Sequence, residues 1–145
     1  MNKKILAILS LFLGLGIFTS FAQCNAMQHK NTCVGQLADG FTFIKSYILD
    51  NKKINKNGEI EYSFVFSKGT LYMLTIANNL GESSGVEITL YDPTRKKLAS
   101  NYDASSDKFY PIGYPCKSTG VHYMTFKFKD GQEPCGLSVL GFKRK

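Results

Sequence analysis

Four cysteines and two histidines are the residues of this 145-residue chain best equipped for chemistry. Cys24, Cys33, Cys116 and Cys135 are spaced by 9, 83 and 19 positions, and His29 and His122 are the only imidazoles. A zinc site asks for C-x-x-C pairs or histidines close by, so the spacing speaks against metal. An even number of cysteines in an oxidising destination points instead to two disulfides. Asp92, Asp103, Asp107 and Asp130 all fall in turn-like sequence, where aspartate bonds back to its own backbone. None shows the alternating acidic spacing of a calcium loop. A nucleophilic triad would need one of the histidines beside a Ser or Cys, and no G-x-S-x-G elbow is present. No catalytic residue, metal or cofactor is therefore assigned.

Aromatic residues offer a different chemistry, that of contact. The chain holds eight Tyr and eleven Phe but no Trp. Tyr102, Phe109, Tyr110 and Tyr114 gather around a Pro and a Gly, with Asp107 and Lys108 adjacent. On an exposed face, Tyr102, Lys108, Phe109, Tyr110 and Tyr114 would form an amphipathic patch of the kind found at interfaces. Packing into the core is the competing reading. The missing Trp lowers the case for sugar stacking.

The elements that must position these residues are strands. Period-2 alternation dominates, and no segment long enough for a helix shows a 3.6-residue period. Ile60, Tyr62, Phe64 and Phe66 alternate with Glu61, Ser63 and Val65. The turn Ser67-Lys68-Gly69-Thr70 then leads into residues 71–77, which predicts a hairpin. Val86, Ile88 and Leu90 face one way, and Glu87, Thr89 and Tyr91 the other. His122 shares its parity with Met124, Phe126 and Phe128, the place of a structural histidine. Together with residues 41–49, 97–102, 109–114, 121–129 and 136–142 this makes about eight strands, the spacing of an all-β, two-sheet antiparallel sandwich. The expected core is Tyr62, Phe64, Phe66, Leu74, Ile76, Val86, Ile88, Leu90, Met124, Phe126 and Leu140.

Strand geometry also bears on the disulfides. Residues 121–129 read as one strand between Cys116 and Cys135, and nine residues at ~3.3 Å each span roughly 30 Å. Bonded Cα atoms lie within about 7 Å. A Cys116–Cys135 bridge is thereby excluded, and with it Cys24–Cys33 in a fully bonded chain. The segment between Cys24 and Cys33 would run extended along the sandwich, one cysteine tied near each end; which goes where stays open.

The chain opens with Lys3 and Lys4 followed by an apolar run over residues 5–18, and Ser20-Phe21-Ala22 sets small residues three and one before a cut. That is the order of a cleaved signal peptide, residues 1–22. The run is shorter than the roughly 20 residues that span a bilayer, and Gln23 before Cys24 speaks against lipidation. A secreted or periplasmic domain over residues 23–145 is expected, with no membrane span in it. Without Lys3 and Lys4 the 18 basic residues fall to 16, against 11 acidic. Such a moderate excess is drawn to anionic surfaces, but the lysines are spread along turns and the tail, as solubilising charges are, and nucleic acid is not expected.

The run Ser84-Gly85-Val86-Glu87-Ile88-Thr89-Leu90-Tyr91-Asp92-Pro93, then Lys97-Leu98-Ala99-Ser100, resembles the "DLYLYDP.G..LASS" pattern of bacterial pre-peptidase C-terminal domains. Thr119-Gly120-Val121-His122-Tyr123-Met124 resembles the "GTYYI" strand that follows in that family. The likeness spans residues 60–142. It implies a jelly-roll sandwich that serves as a non-catalytic appendage of exported enzymes. Here no enzyme is attached, and Val86-Glu87 stands where the family has an acidic pair able to hold calcium. The readings that follow are a binding or accessory module for a cell-envelope protein or glycan, alternatively a small exported inhibitor of a hydrolase, and less so a hydrolase with a cross-strand site.

Overall fold

The computed structural model describes residues 23–82 and 85–144; the expected signal peptide lies outside them. The β-branched and aromatic stretches form β1 (Thr42–Asp50), β2 (Ile60–Phe66), β3 (Thr70–Asn78), β4 (Gly81–Glu82), β5 (Val86–Tyr91), β6 (Lys97–Ser100), β7 (Tyr102–Asp103), β8 (Lys108–Phe109), β9 (Ile112–Pro115), β10 (Gly120–Phe128) and β11 (Cys135–Arg144). One sheet runs β1-β11-β3-β4, with β9 also on β3; the other runs β2-β10-β5-β6; β7 and β8 pair only with each other. Every pairing is antiparallel. The all-β sandwich is as the alternation implies.

Tyr47, Leu49, Tyr72, Leu74, Ile76 and Leu140 of the first sheet meet Ile60, Phe66, Ile88, Leu90, Met124 and Phe126 of the second. Nine of the eleven expected core residues are fully buried. Tyr62 and Phe64 are half-buried at the margin of the same cluster.

Five features differ from the sequence reading. The expected hairpin of 60–66 with 71–77 is absent: β2 and β3 lie in different sheets. Both strands carry an apolar face, and the turn at Gly69, with φ of 82°, lets the chain cross between layers so that the two faces meet. The strand expected over 97–102 stops at Ser100, and that over 109–114 splits into β8 and β9.

The segment before β1 is helical rather than extended: a 3₁₀ turn, Ala26–His29, runs into α1, Lys30–Gly35. So short a helix cannot hold itself in water. Tertiary bonds support it: Thr75 Oγ1 donates to the Cys33 carbonyl at 2.8 Å and Gln36 Nε2 to that of Ile76 at 3.0 Å. This segment covers the outer face of the first sheet, burying Ala26 and Cys33 with Ala77, Leu137 and Val139. Gly141 leaves room for this cover, since a Cβ there would come within 2.8 Å of the Leu37 side chain, which would have to shift.

The helical segment also overturns part of the disulfide reading. Cys24 is bonded to Cys135, with Cα atoms 5.3 Å apart, one of the pairings left open. The second bridge is not made, and Cys33 and Cys116 are buried thiols. Helical residues rise ~1.5 Å each against ~3.3 Å in a strand, so Cys33 stays near Cys24 on the outer face. Cys116 lies in the core between the sheets.

Candidate functional site

An exposed feature outside the two main sheets is the β7–β8 ribbon with its turn. Asn101 launches it. Buried at 3% exposure, Asn101 accepts from the Ile88 N–H through Oδ1 at 2.7 Å and donates from Nδ2 to the Val86 carbonyl at 2.9 Å. Its side chain thus takes over the edge of β5 that another strand residue would occupy. Its own carbonyl accepts from the Tyr110 N–H at 2.8 Å, closing the base of the loop.

Within the loop every polar turn residue is engaged. Asp103 Oδ1 accepts from the Ser105 N–H at 2.9 Å and from Ser105 Oγ at 2.7 Å, while Oδ2 accepts from Ser106 Oγ at 2.8 Å. These bonds, Ser105 foremost, hold its carboxyl below the usual range. Asp107 adopts a left-handed φ of 51°, which aspartate tolerates better than most residues. Its Oδ1 accepts from Lys129 Nζ at 2.8 Å and from the Tyr102 hydroxyl at 3.0 Å. The Lys129 bond, then that of Tyr102, lowers the Asp107 pKa; the bond to Asp107 raises those of Tyr102 and Lys129.

The rings of Tyr102 and Phe109 lie 4.9 Å apart, with Lys129 Nζ 5.5 and 5.1 Å from their centroids. Beside them opens a groove of about 230 Å³ whose other walls include Glu87, Lys127, Phe128 and Asp130. Residues 104–108 are all exposed, and Tyr110 is 49% exposed.

Of the five residues expected to form a patch, the structure brings together Tyr102, Lys108, Phe109 and Tyr110 on this loop. Tyr114 stands apart: on β9 it is half-buried against Phe66 and His122, at 6.2 and 5.8 Å between centroids. Lys129 and Asn101 complete the loop and were not singled out from sequence. The asparagine's only sequence signal is its place at the end of a strand pattern before a turn.

The remaining candidates for chemistry are dispersed. His122 is fully buried, stacked 4.7 Å from Phe66 with its Nδ1 3.0 Å from the Gly120 carbonyl. His29 is bonded to Gln28 and Asn79 beside the helical segment. Cys116 Sγ donates to the Ser118 carbonyl at 3.1 Å. Asp92 caps its turn through Thr94 and Lys96, bonds that lower its pKa. Among the described residues no three of His, Cys, Asp and Glu gather as a metal site. No helix among them is long and apolar enough to cross a membrane.

No protein-family model matches this chain, and no curated protein matches it in sequence. Among solved structures it is similar to the crystal structure of Aeromonas hydrophila PliG, a periplasmic lysozyme inhibitor of g-type lysozyme. The two share 15% identity over 74% of this chain and 90% of that one, with a TM-score of 0.44, too distant a likeness to assign a role.

Proposed function

We propose that this chain acts by binding rather than catalysis: an exported sandwich that offers the loop over residues 102–110 to a protein partner, a hydrolase whose concave site the loop would occupy and block. The observation that carries this is the loop's order. Side-chain bonds from Asp103, Asp107, Tyr102 and Lys129 fix it before any partner arrives. A contact element already in one conformation loses little entropy on docking. Export is supported by the charged and apolar order of residues 1–22 and by the Cys24–Cys135 disulfide, a bond that persists in oxidising compartments.

The second reading is an accessory module that recognises a protein or glycan surface, supported by the resemblance of residues 60–142 to pre-peptidase C-terminal domains. A sugar would stack on a bare ring face. Here Lys129 lies over both Tyr102 and Phe109, which favours a protein partner.

The test is a titration of residues 23–145 into a panel of exported proteases and glycan hydrolases. The expected result is loss of hydrolysis by at least one enzyme, relieved by Ser105→Arg or by Lys108→Ala with Tyr110→Ala, at nearly unchanged melting temperature. Hydrolysis of a panel substrate by the domain itself would refute the binding role. A steep fall in melting for the Lys108/Tyr110 variant would mean that the loop helps to hold the sandwich together rather than serving as a contact element.

A further inference from the structure

The outermost strand of a sheet carries unpaired backbone N–H and C=O groups, a template for another chain unless something blunts it. Here the edges are β1, β4 and β9 in one main sheet and β2 and β6 in the other, and four of these five are blunted. β1 carries Lys45 with a register shift beside it, and its Ile48 carbonyl is already taken by the Tyr62 hydroxyl. β6 has Lys97 and a register shift against β5. β4 is two residues long, and β9 is four residues ending in Pro115.

β2 has none of these devices. Its seven residues, Ile60–Phe66, pair with β10 in unbroken register and include no Lys, Arg or Pro. Its single charge, Glu61, is paired with Arg95, which stacks on Tyr123 of β10 and so draws the carboxylate away from the free edge. Among the described residues, no hydrogen bond outside the β10 ladder engages the β2 backbone. Its side chains are also incompletely covered. Val65 is 56% exposed, and Tyr62 and Phe64 are the two expected core residues left half-buried, although Tyr62 meets Tyr47 across the β1–β2 flank at 4.8 Å.

From this contrast we infer that β2 pairs antiparallel with β2 of a second copy about a two-fold axis at Ser63, joining two four-stranded sheets into one of eight. In that register the strand is its own complement. Tyr62 falls opposite Phe64 of the copy, an aromatic pair that covers both half-buried rings, and Ile60 falls opposite Phe66. Glu61 falls opposite Val65, so no like charges face each other. The first pair beyond each strand end is Glu59 with Ser67, next to Lys68; among the described residues neither Glu59 nor Lys68 has an ion pair in its own chain. The loop over residues 102–110 follows β6, at the far edge of the same sheet, so this dimer leaves both loops free.

Residues 23–145 are sedimented over a concentration series, and the expected result is a weight-average mass that climbs from monomer toward dimer. Ser63 is exposed, so Ser63→Lys and Ser63→Glu should keep the parent's melting temperature. Each sets like charges face to face at the axis and should weaken association at least about tenfold. Mixed together, the two variants should associate at least as tightly as the parent. Ser63→Cys reads the register: facing Cα atoms of an antiparallel pair lie about 4.5–5.5 Å apart, within the disulfide reach of about 7 Å, so oxidation should yield a cross-linked dimer. Val65→Cys should not cross-link, since each Val65 lies roughly 13 Å along the strand from its counterpart. The inference is overturned if the parent stays monomeric at millimolar concentration, or if Ser63→Lys dimerises as tightly as the parent. It is equally overturned if the mixed variants associate no better than either alone, or if Val65→Cys cross-links as readily as Ser63→Cys. None of these readouts involves inhibition, so the loop is tested separately.

Discussion

Among the described residues five cations lie over aromatic rings, and they fall into two regions that differ in one respect. On the second sheet and its ribbon, Arg95 stacks 3.5 Å from the Tyr123 centroid while pairing both guanidinium nitrogens with Glu61, and Lys129 covers Tyr102 and Phe109 while pairing with Asp107. Around β1 and β2, Lys30 of α1, Lys45 and Lys53 lie near the rings of Phe43, Tyr47 and Tyr62 and have no carboxylate partner. In the first region charge is consumed internally and fixes a turn: Arg95 ties the β5–β6 connection to the outer face, and Lys129 ties the ribbon to the end of β10. In the second the charge is placed but left over. A cation beside a ring thus fastens a turn where a carboxylate completes the contact.

Both regions hang from one frame, so the largest effects should fall on both together. The Cys24–Cys135 bond closes a separation of 111 residues and anchors the segment that carries Lys30. Replacing both cysteines by serine should cost about 2–5 kcal/mol of stability in urea titration. Phe126→Ala should cost roughly 3–5 kcal/mol by the same measurement, since Phe126 is fully buried; Phe64→Ala, at the half-buried margin, should cost less. A loss under ~1 kcal/mol at Phe126 would mean the core is misassigned.

The flank sharpens the comparison at smaller scale. The Tyr47 hydroxyl is buried with no partner, whereas that of Tyr62 donates to the Ile48 carbonyl and accepts from Lys53. Tyr62→Phe should therefore lose ~0.5–1.5 kcal/mol, and Tyr47→Phe should be neutral or stabilising. Burial, with Tyr62 secondary, pushes the Tyr47 pKa up to about 12. A raised folded-state value means stability intact below the ordinary tyrosine range and lost as pH rises toward 12. Alkaline titration of phenolate absorbance should show one tyrosine ionising late, together with unfolding.

The smallest effect belongs to the ribbon. Asp107 is depressed chiefly by its Lys129 bond, so its contribution is present above the ordinary carboxylate range and is lost as pH falls through the lowered folded value. Amide chemical shifts of residues 104–108 should move on acidification below that range while the sheets stay unchanged. Uniform shifts across the sheets would break the distinction between a local fastener and the frame.

What the sequence made legible follows from what alternation can encode. Val86, Ile88 and Leu90 read as inward and are buried; Met124 and Phe126 do the same on β10. Alternation fails where a strand is covered on both faces. Leu137, Val139 and Ala77 point away from the sandwich interior and are buried all the same, because the helical segment lies over them. That segment has no side-chain cap and six residues in α1, so nothing local announces it, and the extended path assumed for Cys24 to Cys33 misplaced the second disulfide. That Tyr102, Phe109 and Tyr110 come together on one loop was legible from their closeness in sequence. Its organisation was not, because Lys129 is 22 positions from Asp107 and Asn101 works through backbone groups of another strand. Tyr114 shared the cluster in sequence only, since β9 returns to the first sheet beside β3.

The central claim, a contact loop ordered before it meets a partner, can be tested without knowing the partner. Backbone amide order parameters for residues 104–108 should match those of the sheets in the parent domain, near ~0.85, and fall below ~0.6 in Lys129→Ala while β10 and β5 keep their values. Parent values already below ~0.6 across the loop would contradict the account.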